Sequence, residues 1–226
     1  MKNTPFIAVT SQPVPYHADT TAIFNTLCQQ NSNSLLLDSA EIGSKNSLQS
    51  LILINAAIKI TCLGNQVTFR ALNANGKQVL KEIHPVLSQL GTVSAVSFDN
   101  EFSVQFAPLD NQLDEDSKLQ AATIFDGLRV ISNHYQHSST PVFLGGLFAY
   151  DLVANFIPMQ GVELKDDGIH CPDYSFYLAE NLITIDHQSQ QATLKSFCFS
   201  QEEQVEVAKT ALSISQKLKK DRKSVV

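Results

Sequence analysis

The run from Ser50 to Leu72 constrains the fold more than any other segment. Ile58, Ile60 and Cys62 alternate with Lys59, Thr61 and Leu63, Gly64-Asn65 intervenes, and Val67, Phe69 and Ala71 resume the alternation. A period of two sends successive side chains to opposite faces of a strand, and a Gly-Asn link suits the positive φ of a tight hairpin turn. The segment predicts two antiparallel strands with a buried face. An all-helical architecture does not accommodate it.

Other segments add strands and helices around that hairpin. Ile23, Phe24, Leu27 and Cys28 predict a helix over Thr20 to Gln30, and Ser34 to Leu37 is extended and stops at Asp38-Ser39. Asn75-Gly76 marks a turn, followed by a short helix through Val79, Leu80, Ile83 and Leu87 that Pro85 interrupts. Val93 to Phe106 returns to strand character. Ser117-x-x-Gln120 reads as a capping box opening one helix with Leu119, Ala122, Phe125, Leu128, Ile131 and Tyr135 on one side. Ser175 to Ile185 and Ala192 to Phe199 read as an antiparallel pair joined by the polar turn His187 to Gln191. Ser200-x-x-Glu203 opens a closing helix through Val205, Ala208, Leu212 and Leu218. Hairpins interspersed with helices, without strict βαβ alternation, point to an α+β or mixed α/β fold with antiparallel sheets.

Composition narrows the function classes. The 226 residues carry 16 basic and 22 acidic side chains, a net charge of −6, with 43% apolar residues. That balance supports an ordered core and argues against a nucleic-acid or anionic-membrane partner. Leu51 to Ile60 is the most apolar window, but it carries Asn55 and Lys59 and is too short to span a bilayer. Lys2 is followed only by Phe6-Ile7-Ala8-Val9, which is no secretory h-region. Cys28, Cys62, Cys171 and Cys198 are widely spaced, so reduced thiols in a cytoplasmic protein are expected.

Catalytic templates do not occur: there is no G-x-S-x-G, Walker loop, G-x-G-x-x-G or H-E-x-x-H. His170-Cys171 and His134-x-x-His137 lack the partner set of a zinc site. Gly145-Gly146 lies inside an apolar run without a following basic residue, so close backbone packing is expected rather than phosphate binding. Asp110, Asp114, Glu115 and Asp116 do not fit an EF-hand loop and suit a solvated linker before a helix, and Asp166-Asp167 reads as a loop. Five basic residues between Lys217 and Lys223 suit a helix C-terminus. Leu35-Leu36-Leu37-Asp38-Ser39-Ala40-Glu41-Ile42 stands apart, since an apolar strand ends there on a carboxylate beside a hydroxyl. A free amino acid fits such an end, its ammonium on the carboxylate and its own carboxylate facing the hydroxyl and nearby N–H groups.

Three segments in order resemble one family. They are Leu35 to Ile42 with Ser44-Lys45-x-x-Leu48-x-Ser50-Leu51, Phe143-Leu144-Gly145-Gly146-Leu147-Phe148-Ala149-Tyr150-Asp151-Leu152-Val153, and Cys171-Pro172-Asp173-Tyr174-Ser175-Phe176-Tyr177-Leu178-Ala179-Glu180. They resemble the N-terminal region of anthranilate synthase component I, a branch of the chorismate-utilising enzymes, from about Pro13 to the closing helix near Leu212. The resemblance implies a regulatory domain over 1–216, a basic and unstructured tail over 217–226, and a catalytic chorismate-binding domain absent from this chain. In that family the enzyme is a lyase of tryptophan biosynthesis. It converts chorismate and ammonia, supplied from glutamine by an amidotransferase subunit (component II), to anthranilate.

The resemblance also assigns an L-tryptophan feedback site to Leu37, Asp38 and Ser39, with Gln49 nearby. Many members have Glu at the position of Asp38 and Lys at that of Gln49, which shortens the carboxylate's reach and removes a positive charge. No catalytic residue, cofactor or metal is assigned to this chain, and Mg²⁺ is implied only for the full-length enzyme, so the chain alone is expected to be inactive. The aminodeoxychorismate synthase relative of folate biosynthesis is one alternative. Asp38-Ser39 and the run from Ile183 to Gln188 favour the tryptophan enzyme. A stand-alone amino-acid-binding module or an inactive remnant is another, and an exposed apolar inter-domain face would then promote aggregation or dimerisation.

Overall fold

The structure, a computed structural model, describes residues 5–29, 31–38, 48–97, 100–108, 114–136, 140–156 and 171–224. In chain order the strands are β1 (Ala8–Val14), β2 (Leu35–Asp38), β3 (Gln49–Leu63), β4 (Gln66–Ala71), β5 (Thr92–Ser97), β6 (Glu101–Gln105), β7 (Leu144–Phe148), β8 (Tyr174–Asp186) and β9 (Gln191–Cys198). The helices are α1 (Thr20–Cys28), α2 (Ala74–Leu87), α3 (Glu115–Gln120), α4 (Asp126–His134) and α5 (Gln204–Ser224), with a 3₁₀ turn over Tyr150–Asn155. The fold is therefore the expected mix of helices and antiparallel sheet. Among the described residues no helix is long and apolar enough to cross a membrane.

All nine strands join one antiparallel sheet in the order β1-β9-β8-β3-β4-β6-β5, with β2 on β3 and β7 on β8. The long strands β3 and β8 form its spine, Gln49 opposite Asp186 at one end and Cys62 opposite Tyr174 at the other. Each spine strand is flanked by two shorter strands in succession. β2 then β4 follow β3, and β9 then β7 follow β8.

The sheet divides two cores. Ile52 and Ile54 of β3, Ile183 and Ile185 of β8 and Leu194 of β9 pack with α1 and α5, through Ile23, Leu27, Ala211, Ile214 and Leu218. Leu53, Ile58, Ile60 and Cys62 of β3 pack with α2 and α4, through Val79, Leu80, Ile83 and Ile131. Even-numbered β3 residues thus face the α1/α5 core above Asn55 and the α2/α4 core below it. Register shifts between Leu53 and Ile58 make that exchange, because one extra residue inverts the side-chain parity of everything beyond it.

The Gly64-Asn65 hairpin forms as expected, with Gly64 at φ 57°. Asp173 pins it: its Oδ2 accepts from the Gly64 N–H at 2.7 Å and from Asn155 Nδ2 at 3.0 Å. Gly146 lets β7 lie against β8, since a Cβ there would overlap the Ser175 carbonyl. The expected close backbone packing is thus found at Gly146, while Gly145 faces the Phe143 ring.

Several local readings change. Asn75-Gly76 is no turn but the first turn of α2, which Asn73 caps by accepting from the Gly76 N–H at 2.8 Å. Pro85 does not interrupt α2, because it stands in the last turn, where only one internal hydrogen bond is lost. Ser117 is not a cap. Asp114 caps α3, accepting from the Ser117 N–H at 2.8 Å and its hydroxyl at 2.9 Å. The single helix expected from Ser117 to Tyr135 is two, broken where Asp126 accepts from the Thr123 N–H at 2.6 Å. α5 buries Val207, Ala211, Ile214 and Leu218, leaving Val205 and Leu212 exposed, and it continues through Ser224 across the expected boundary at Lys217. Asp110, His137, Asp166, Asp167 and His170 lie outside the described residues.

Candidate functional site

Asp38 ends β2 directly opposite Ser50 of β3, on the face that carries Leu36, Ile52 and the α1/α5 core. Direct cross-strand partners share a face at the shortest side-chain separation in a sheet. The Ser50 hydroxyl, fully buried, donates to Asp38 Oδ1. Thr20, the first residue of α1, donates from Oγ1 to Asp38 Oδ2 at 3.2 Å. Both carboxylate oxygens are thus tied to separate elements, while Asp38 itself stays exposed at the rim.

On its other side Ser50 Oγ lies 2.7 Å from His187 Nε2, and His187 Nδ1 lies 3.2 Å from the Tyr16 hydroxyl. The Tyr16 and His187 rings meet edge to face at 5.8 Å between centroids. His187 follows the end of β8, one step beyond the Gln49–Asp186 pair. Its N–H donates to the Leu48 carbonyl at 2.9 Å, and Asp186 Oδ1 closes the turn by accepting from the Gln188 and Ser189 N–H groups at 2.9 and 3.0 Å. Those backbone N–H bonds hold the Asp186 carboxyl below its ordinary value. In the connection between Tyr16 and Thr20, His17 has a buried Nε2 with no hydrogen-bond partner.

Of the residues expected at the site, Asp38 lies on the α1/α5 face. Leu37 and Gln49 alternate with Asp38 and Ser50 and so sit on the opposite face, both exposed. Ser39 lies outside the described residues. Thr20, Ser50, His187 and Tyr16 were not singled out by sequence reasoning. The His187 turn read as a polar linker, and only strand pairing brings it to Asp38.

Other polar clusters are architectural. Glu82 of α2 accepts from the Tyr135 hydroxyl at 2.9 Å and from His134 Nε2 at 3.0 Å, clamping α2 to α4. Glu180 in β8 accepts from Asn73 and Asn75, each at 2.9 Å. All four cysteines are free thiols. Burial, then the Asp173 charge, pushes the Cys62 thiol up to about 12, and burial raises Cys28 and Cys198, so none of these three is a reactive thiolate. Among the described residues no three His, Cys, Asp or Glu side chains come together to hold a metal ion. The arrangement at Asp38 can bind a cationic group. Ser50 lies at hydrogen-bond distance from His187, but its hydroxyl donates to Asp38 and is fully buried, so it is not presented to a substrate as an attacking group.

Residues 78–225 match the family model described as chorismate binding enzyme. The chain is 84% identical over 214 residues to anthranilate synthase component 1 of Haemophilus influenzae, covering 95% of this chain and 41% of that protein. It is 43% identical over 202 residues to anthranilate synthase component 1 of Vibrio cholerae, covering 88% of the chain and 38% of the relative. Against the Escherichia coli protein of the same name the identity is 36% over 199 residues, 87% and 37% of the two chains. The chain therefore spans about two fifths of the length of these curated relatives.

Proposed function

Because the chain belongs to the chorismate binding enzymes and matches an anthranilate synthase component I over most of its length, we propose that it is the effector-binding part of such a synthase. The effector is L-tryptophan, and the whole enzyme converts chorismate and ammonia to anthranilate with a component II amidotransferase. The observation that carries the effector reading is the Asp38 carboxylate, exposed at a sheet corner yet held on both oxygens by Ser50 and Thr20. A carboxylate fixed in this way meets an ammonium without first losing side-chain freedom.

The family resemblance adds Leu37, Ser39 and Gln49 to the proposed set; Leu37 and Gln49 leave the opposite face of the sheet from Asp38, so neither is assigned a contact with the ammonium. An ammonium at Asp38 adds a contact where β2, β3 and α1 meet. Such a ligand regulates only as far as it binds one arrangement of the enzyme better than another. The donors present do not fit Mg²⁺, since no cluster of three carboxylate, imidazole or thiolate side chains exists among the described residues. The chain alone is expected to make no anthranilate.

Calorimetric titration with L-tryptophan tests the reading. A Kd below about 1 mM, equivalent to roughly −4 kcal/mol, supports it, and heats indistinguishable from dilution refute it. Anthranilate fluorescence from this chain with chorismate, Mg²⁺ and ammonia would overturn the expectation that it is catalytically silent.

A further inference from the structure

Behind Asp38 runs a chain of side chains drawn from three other parts of the sequence. Tyr16 meets His187 at 3.2 Å, His187 meets Ser50 at 2.7 Å, and Ser50 donates to Asp38. We propose that Tyr16, His187 and Ser50 form a one-way hydrogen-bond relay that positions the Asp38 carboxylate for an ammonium, with His187 as a neutral Nε2–H donor. The proposal rests on the effector-site reading above.

Donor counting fixes its direction from His187 to Asp38, and the proposed neutral ring fixes the step from Tyr16. An ionised carboxylate only accepts, so the single Ser50 proton goes to Asp38. The Ser50 oxygen then offers His187 only lone pairs, and the imidazole must carry its proton on Nε2. A neutral ring with Nε2–H has an unprotonated Nδ1, so the Tyr16 hydroxyl donates there. Every member then has one consistent role. With the opposite tautomer, Ser50 Oγ and Nε2 would face each other as two acceptors, 2.7 Å apart with no proton between them. His187 is a positioning residue, because it acts on the ligand only through Ser50 and Asp38.

The geometry supports this role over mere packing. Ser50 is fully buried, so without His187 its oxygen loses an N–H donor while the hydroxyl is left oriented by the carboxylate alone. His187 is itself fixed by its backbone bond to Leu48 and by the Asp186 turn.

Two measurements test the relay. Long-range ¹H–¹⁵N NMR of the wild-type chain at neutral pH is expected to show His187 protonated on Nε2 alone. An Nδ1–H or doubly protonated ring overturns the proposal, whatever the chain binds. Titrations then use L-tryptophan and indole-3-propionate, which keeps the indole and carboxylate but lacks the ammonium. His187→Leu is expected to weaken L-tryptophan about fivefold, the effect of one lost hydrogen bond, and His187→Gln, which retains an N–H donor, is expected to stay within about twofold of wild type. Indole-3-propionate is expected to change less than about twofold in either variant. Equal losses in Leu and Gln variants, or equal losses for both ligands, overturn the relay. Failure of wild type to bind L-tryptophan at all overturns the effector reading instead, and the tautomer measurement still decides the hydrogen-bond direction.

Discussion

Asn75 and Glu180, 105 residues apart in sequence, meet inside the junction of α2 with the spine of the sheet, the Asn75 amide donating to Glu180 Oε2 at 2.9 Å. Asn75 also donates to the Phe197 carbonyl at 3.0 Å and accepts from the Phe199 N–H at 2.6 Å, so one buried side chain ties α2, β8 and β9 together. Asn73, the α2 cap, donates to the same carboxylate oxygen at 2.9 Å. Glu180 thus has amide donors where a buried carboxylate would be expected to have a cation.

A pH dependence follows. Burial raises the Glu180 pKa, opposed by the Asn75 and Asn73 donors and reinforced by the charge of Glu203. A carboxyl raised in the fold is best tolerated protonated. Its favourable contribution is present below the unfolded value of roughly 4.3 and is lost as pH rises through the folded value. Glu180→Gln removes that loss, so the melting temperature of the variant is expected to gain on wild type as pH rises above roughly 4.3 and to level off once pH passes the folded value. A difference that stays flat or shrinks with rising pH in thermal melts refutes the assignment.

Glu82 behaves in the opposite sense. Burial opposes its ionisation, but His134, Gln78 and Tyr135 together outweigh burial and hold the carboxyl below its ordinary value. Its contribution is present above the unfolded value and is lost as pH falls through the folded one. Tyr135→Phe deletes the 2.9 Å bond to Glu82 while keeping the ring that packs on Phe199. The change is expected to cost about 1.5 kcal/mol at neutral pH, typical of a hydrogen bond to a charged group, and less in acid. Urea melts at two pH values check both the size and its decline.

The two structural glycines fail differently. Gly146→Ala places a methyl against the Ser175 carbonyl, backbone that can yield only if β7 leaves β8, and a loss of about 3 kcal/mol is expected. At Gly64 a Cβ meets nothing, but φ is 57°, so Gly64→Ala is expected to cost only about 1 kcal/mol of conformational strain. Chemical denaturation ranks them, and a Gly64 cost above that of Gly146 contradicts the packing argument.

Periodicity made the sheet legible, because Ile58, Ile60 and Cys62 alternate on one face and nothing else in the chain competes with that pattern. It did not settle α5. Val205, Ala208 and Leu212 form one helical stripe, while Val207, Ala211, Ile214 and Leu218 form another, and only docking on β9 and β1 selects the second. Asn75-Gly76 misleads because a turn signal and a helix start use the same residues, and the cap two positions earlier decides. Asp38 was visible as a carboxylate ending an apolar strand. Its partners were not, since Ser50 and His187 come near it only through the pairing of β2 with β3 and of β3 with β8, and Thr20 only because α1 docks against β2. The pleat likewise separates Gln49 from Asp38, a relation that proximity in sequence conceals.

That separation gives the most discriminating test of the effector site. If Asp38 receives the ammonium, Asp38→Asn keeps the shape and one acceptor oxygen, enough for the Ser50 hydroxyl, and turns an amide N–H toward the Thr20 oxygen while removing the charge. Calorimetry is expected to show about a tenfold loss for L-tryptophan and for tryptamine, which both carry the ammonium, and little change for indole-3-propionate, which does not. Gln49 sits on the other face, so Gln49→Ala is expected to shift L-tryptophan affinity by less than about threefold. A larger effect at Gln49 than at Asp38 would move the ligand to the α2/α4 face of β3. Equal losses for all three ligands in Asp38→Asn would mean that the carboxylate supports the sheet corner, not the ammonium.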